Sequence, residues 1–140
     1  MTKWVHHERE GEVTQMPGRK VTWIQTNANT GSRYSQVCTC VYEAGARAKP
    51  AHAHPDGEET VYVIDGSGRA KIGDNLYDIE AGSVVFFPQN VPHMLWNTGD
   101  GELSIVCFYA PVETSRGYAF FEDFDFPEFS GAPSGSEPSK

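Results

Sequence analysis

The residues best suited to chemistry are His52, His54, Glu59 and His93, and three of the chain's five histidines are among them. His52 and His54 lie two apart, so on an extended strand both imidazoles leave the same face. Glu59 follows the turn signal Pro55-Asp56-Gly57, which is expected to fold the next strand back beside the first. His93 opens a later run of strand character. If these strands pack side by side, three nitrogens and one carboxylate oxygen converge. That is a ligand set for one divalent first-row metal, with room left for substrate. Imidazole suits Fe, Ni, Cu, Zn and Co, whereas the carboxylate's harder oxygen favours Mn or Fe. A His-x-His pair alone would be weak evidence, because exposed strands carry such pairs without function.

Other chemistry is harder to find. There is no Ser/His/Asp set, no phosphate-binding glycine loop and no redox Cys-x-x-Cys. Gly66-Ser-Gly68 reads as a hairpin turn, since no helix follows it. No catalytic residue stands out: Glu58, Tyr42 and Tyr62 are the weak candidates for moving a proton. Tyr42, Tyr62, Trp96 and Tyr109 could line a pocket, although packing in a core or sheet is the simpler expectation for each. Cys38, Cys40 and Cys107 are expected to be buried reduced thiols, because Cys38 and Cys40 on one strand would sit about 6.6 Å apart, a strained span for a bridge. Arg69 and Lys71 share a face expected to be solvated, and His6 and His7 are expected at the surface.

Strands must position these groups. Turn signals recur at short intervals, including Glu43-Ala-Gly45, Pro55-Asp-Gly57, Gly73-Asp-Asn75, Glu80-Ala-Gly82 and Asn97-Thr-Gly-Asp-Gly101. Between them lie runs rich in β-branched and aromatic residues: 34–42, 60–64, 69–72, 76–79, 83–87, 93–96 and 103–109. Many short strands divided by glycine-rich turns predict an all-β antiparallel sandwich or barrel. Val21–Thr26 reads as one more strand, and Asn27–Ser32 as a polar loop. The expected organisation is an N-terminal arm at 1–20, one β-barrel domain at 21–129 and a disordered tail at 130–140, where Gly, Ser, Pro and Ala dominate. Phe120–Phe129 mixes aromatics with acids and reads as a closing strand or short helix that packs on the barrel, with a lid or dimer contact as alternatives.

Composition narrows the function classes. The formal net charge of −8 argues against nucleic acid and anionic membranes as partners. No apolar run approaches the ~18 residues of a membrane span, and the polar start lacks the apolar core of a secretory signal. A cytoplasmic protein is expected.

The fuller spacing is specific. Gly45-x6-His52-x-His54-x4-Glu59-x6-Gly66 is followed, after 15 intervening residues, by Gly82-x5-Pro88-x-Asn90-x2-His93-x3-Asn97. This pair of motifs resembles those of the cupin superfamily, small β-barrels of jelly-roll type, over about Val37 to Ala110. The resemblance implies that His52, His54, Glu59 and His93 are the metal ligands. Glu58 competes for the carboxylate position. Glu59 is preferred because it keeps six residues before Gly66 and shares a face with Val61 and Val63. Asn90 replaces the usual glycine, and is the residue that best tolerates the left-handed backbone glycine would supply. Asn97 looks structural in this pattern.

The implied function is a metal-dependent enzyme acting on a small oxygenated molecule inside the barrel, by dioxygenase-type or Lewis-acid isomerase, lyase or cyclase chemistry. A non-catalytic small-molecule binder or sensor is the alternative. The resemblance also implies a homodimer, in which Val21–Thr26 would exchange or dock.

Overall fold

The computed structural model describes residues 3–130. Eleven strands build two antiparallel sheets. In chain order they are β1 Glu12–Met16, β2 Arg19–Gln25, β3 Gln36–Tyr42, β4 Ala51–Ala53, β5 Glu58–Asp65, β6 Ser67–Ile72, β7 Asn75–Glu80, β8 Val84–Phe87, β9 His93–Trp96, β10 Leu103–Ala110 and β11 Ala119–Phe121. One sheet runs β1-β2-β3-β10-β5-β8 and the other β11-β4-β9-β6-β7. The expected all-β jelly-roll barrel is the architecture observed.

Period-two patterning makes these strands. In β10, Leu103, Ile105, Cys107 and Tyr109 are buried, and the residues between them are not. In β5 the same alternation buries Glu59, Val61 and Val63 and turns Glu58, Tyr62 and Ile64 outward. Register joins the inward sets, with Tyr109 opposite Glu59, Cys107 opposite Val61 and Ile105 opposite Val63. On the other side of β10, Cys107 lies opposite Cys38 and Ile105 opposite Cys40. A one-residue slip would expose this whole core. Gly66 ends β5 with φ +95°, and a Cβ there would meet the Glu102 carbonyl oxygen at 2.4 Å.

The structure revises several expectations. The Pro55-Asp56-Gly57 turn does not return β5 beside β4. It carries the chain to the opposite sheet, so His52 and Glu59 meet across the barrel interior. The turn's residue types fix a reversal but not the partner strand. The strand expected at Val21–Thr26 lies within β2, which pairs with β1 on one side and β3 on the other. Residues 12–16 of the charged arm supply the outer strand. Asn27–Thr30 forms one helical turn rather than plain loop, capped by the Thr26 hydroxyl accepting from the Asn29 N–H. The proposed tail lies outside the described residues from 131 onward.

Arg69 and Lys71 are not a solvated face. The acidic-aromatic segment covers them: Lys71 Nζ donates to the Asp125 carbonyl at 2.8 Å, and Arg69 Nη1 donates to Glu128 Oε2 at 2.7 Å. Phe126 is fully buried beside Trp96. Asp125 anchors this strap by accepting two hydrogen bonds from Arg47, at 2.9 and 2.8 Å. Among the described residues, no helix is long and apolar enough to cross a membrane.

Candidate metal centre

Two sheets meet at the four singled-out residues. β4 presents His52 and continues into His54, β9 begins with His93 directly opposite His52, and β5 contributes Glu59 from the facing sheet. One ligand atom from each side chain can be chosen so that all lie within 4.8 Å of one another. His54, Glu59 and His93 are buried, with His52 partly so. Asn90, at φ 64°, adopts the expected left-handed backbone and donates its N–H to the His54 carbonyl at 2.9 Å, holding the loop that leads into His93.

Hydrogen bonds fix two of the rings. His54 Nδ1 donates to the Thr114 carbonyl at 2.9 Å, and His93 Nδ1 donates to the Val91 carbonyl at 3.1 Å. A carbonyl only accepts, so each Nδ1 carries the hydrogen and a neutral ring then aims its Nε2 lone pair inward. Those lone pairs face a carboxylate: Glu59 Oε1 is 2.9 Å from His54 Nε2 and 3.7 Å from His93 Nε2. His93 Nε2 is fully buried without a hydrogen-bond partner. Lone pairs turned on an anion repel unless a cation sits among them, and the candidates are a proton or a metal ion. The donor set therefore fits a divalent metal. Aromatic stacking holds the remaining freedom, with Phe87 on His93 at 3.7 Å and Tyr118 on His52 at 4.7 Å between centroids.

Charge follows this arrangement. Burial alone would raise the Glu59 carboxyl, but a proton shared with His54 across 2.9 Å and the charge that the neighbouring rings carry when protonated overcome this and hold the group at about 2. Burial, reinforced by the neighbouring His93 and His54, pushes His52 down to about 3, so it stays neutral and able to donate a lone pair. The cluster forms part of the wall of a cavity of ≈ 260 Å³. Trp23, Tyr42, Phe87, Leu95 and Ile105 give that cavity a largely apolar lining.

The other candidates separate by face. Tyr42 lines the cavity and is buried, its phenol pushed well up by that burial. Tyr109 also lines it. Glu58 and Tyr62 do not, because both lie on the outward face of β5, and Tyr62 is 44% exposed. They are corrected as candidates for proton transfer: side chains on that face point away from His52 and Glu59. Trp96 faces outward under Phe126. Asn97 is fully buried and structural, its Nδ2 donating to the carbonyls of Tyr42, Glu43 and Gly101. The three cysteines are free and buried.

Sequence reasoning missed Tyr118 and Arg19, which both line the cavity. Tyr118 keeps 36% of its surface accessible at the lip, and burial of its inner part pushes the phenol up to about 12. Nothing in its sequence neighbourhood marks it. Arg19 could have been found by extending the Val21–Trp23 alternation one step back.

The family model for the Cupin domain matches residues 38–109. Over 95 residues the chain is 30% identical to protein SchB of Streptomyces halstedii, covering 68% of each protein. It is 24% identical over 104 residues to polyketide synthase CurC of Streptomyces cyaneus, covering 74% of this chain and 67% of that protein. A third match, to an uncharacterized protein of Methanocaldococcus jannaschii, is 28% identical over 60 residues, 43% of this chain, and spans just under half of its relative (48%). In structure, the chain resembles the Streptomyces nucleoside dehydratase Pac13 with a TM-score of 0.72 at 17% identity, covering 86% of this chain and 92% of that one.

Proposed function

The chain belongs to the cupin family, and from that premise we propose that it is a metal-dependent enzyme acting on a small oxygenated organic molecule inside the barrel. His52, His54, Glu59 and His93 would hold one divalent transition metal, drawn from Mn, Fe, Ni, Zn, Co and Cu. The observation that carries the reading is the inward convergence of three imidazoles on a buried carboxylate, with His93 Nε2 left unpartnered.

When bound, the metal would supply Lewis acidity toward a substrate oxygen, or, with dioxygen as co-substrate, an oxidative route. The chain's residues do the rest. The carbonyls of Thr114 and Val91 keep the His54 and His93 rings oriented. Trp23, Phe87 and Ile105 give the cavity apolar walls, and polar contacts against such walls are stronger than in open water. Tyr109 and Tyr118 retain their phenol protons at neutral pH, since burial raises both. Tyr118 can therefore donate from Oη to a substrate oxygen and act as an acid, with Tyr109 hydrogen-bonded behind it, whereas among the described residues lining the cavity Glu59 is the one carboxylate. A phenol placed to give up a proton supports non-oxidative isomerase, lyase or cyclase chemistry, with dioxygenase chemistry as the alternative. The dehydratase named among the structural neighbours and the polyketide synthase named among the relatives support the same direction.

Turnover of diketones, phenolics or keto acids without oxygen uptake tests this reading. Oxygen consumption matched to turnover would replace it with the dioxygenase reading. Ligand binding without turnover of any of these would favour a sensor. We also propose a homodimer in the cytoplasm that takes neither nucleic acid nor membrane as partner. Three free thiols and the net charge of −8 support the location and the partners excluded. The exposed apolar stripe of Tyr62, Ile64, Val84, Phe86 and Phe108 supports self-association, which light scattering reads directly.

A further inference from the structure

The cavity contains one charged group that neither the metal cluster nor any ion pair uses. Arg19 opens β2, whose inward residues Arg19, Val21 and Trp23 lie opposite Tyr42, Cys40 and Cys38 of β3. All six line the cavity, and the same stripe continues past Trp23 toward Gln36, Tyr109 and Glu59. The lining thus has a carboxylate and imidazoles at one end, apolar walls in the middle and a guanidinium at the other end.

Arg19 is partly buried, yet among the described residues it forms no ion pair. Its Nη2 donates to the Met16 sulfur at 3.3 Å, a poor acceptor, and its Cζ lies 5.8 Å from the Tyr42 ring centroid. Arg47 and Arg69, the other two partly buried arginines, each hold a carboxylate, from Asp125 and Glu128. Lys49, the cavity's other cation, is also engaged: Nζ donates to the Glu122 carbonyl at 2.8 Å and lies 3.5 Å from Asp125 Oδ2. A partly buried guanidinium committed to no carboxylate is well placed to pair with an anion that enters the cavity. Its planar fork matches the two oxygens of a carboxylate. Its charge also acts on the interior: burial pushes the Cys40 thiol up to about 12, and Arg19 opposes that rise.

We propose that Arg19 is a specificity-determining residue that binds the carboxylate of a small apolar or aromatic acid, placing the acid's other end toward the His52–His93 cluster. This rests on the reading of the cavity as the substrate site and names the substrate class it takes. The walls accept an apolar body, and ≈ 260 Å³ limits it to a small one. Arg19 reaches the ligand's remote charge and takes no part in bond making or breaking.

The test uses the purified full chain and two isosteric probes, 3-phenylpropionate and its neutral amide, 3-phenylpropanamide, titrated by calorimetry. The wild type is expected to bind the acid about ten- to a hundredfold tighter than the amide. Arg19→Gln should bring that ratio close to one, Arg19→Lys should keep part of it, and added salt should shrink it in the wild type. His93→Ala should keep the ratio, because the carboxylate anchor lies at the other end of the cavity. A preference that survives Arg19→Gln but disappears in His93→Ala would put the carboxylate on the metal cluster and overturn this proposal while supporting the metal reading. No preference in the wild type would overturn it as well. Failure of the metal reading alone would leave the Arg19-dependent ratio intact. Arg19→Lys, which preserves size and charge, keeps the test decisive if Arg19→Gln proves unstable.

Discussion

Replacing Asp125 with alanine should release the strap that closes the outer face of the five-stranded sheet. The Asp125 side chain is 5% exposed and accepts two hydrogen bonds from Arg47, whose own side chain is 24% exposed. It also accepts from the Phe126 N–H at 2.8 Å, with Lys49 Nζ at 3.5 Å. Burial by itself would raise this carboxyl; Arg47 and the Phe126 N–H more than offset that and hold it below the ordinary aspartate value. Breaking a fully buried pair costs about 3–5 kcal/mol, because the surviving charge is left alone. Water reaches part of Arg47, which reduces the expected loss here to about 2–3 kcal/mol. For a domain of this size that corresponds to a fall in Tm of roughly 6–10 °C. Calorimetric melts of Asp125→Ala, Arg47→Ala and the double variant give the magnitude and the coupling together. A loss below about 2 °C, or strict additivity of the two single changes, would refute the view that this pair secures residues 124–129.

Three other outcomes follow from the same geometry. In chelator-treated protein, His52 is neutral when folded and sits at about 3 against an ordinary 6.5, so its stabilising effect is complete above 6.5 and is lost as pH falls through 3. Glu59, held at about 2 against 4.5, adds loss in the same direction below 4.5. Urea midpoints should therefore fall between pH 7 and pH 4, with His52 contributing at most about 1.4 kcal/mol per unit, and a flat profile would contradict the assignment. Gly66→Ala should destabilise by about 3 kcal/mol or more, since its added Cβ would meet the Glu102 carbonyl oxygen at 2.4 Å in a backbone with φ +95°; a melt within 2 °C of wild type would be inconsistent with that. Once turnover is found, Tyr118→Phe should lower kcat about ten- to a hundredfold with little change in Tm, whereas Glu58→Gln and Tyr62→Phe should leave both near wild type. Equal losses from the inward and outward residues would show that the face assignment is wrong.

The barrel was legible because its signals are local. The alternation of β10 and β5 assigned the inward residues, including Glu59 over Glu58, and the glycine-rich turns located the strand ends. Asn90 could be read as a left-handed position from its residue type and its place in the motif. Connections between sheets were not legible. Pro55-Asp56-Gly57 looks the same whether the next strand pairs beside β4 or crosses to face it, and only the competition of all strands for partners decides. Tyr118 escaped for a similar reason: it reaches the site by stacking on His52 from a segment without periodicity. Arg69 and Lys71 looked solvated because their cover comes from residues more than fifty positions later. Arg19 fell in a stretch whose charge suggested an arm, although it begins β2.

Whether His52, His54, Glu59 and His93 hold a metal is decided by the metal content of the purified protein, measured by elemental analysis beside His52→Ala and His93→Ala variants that remain folded. About one equivalent of a divalent transition metal is expected in the wild type and little in either variant. Metal retained in full by both variants, or a wild type that takes up no such metal when supplied with it, would contradict the assignment of these four residues as ligands.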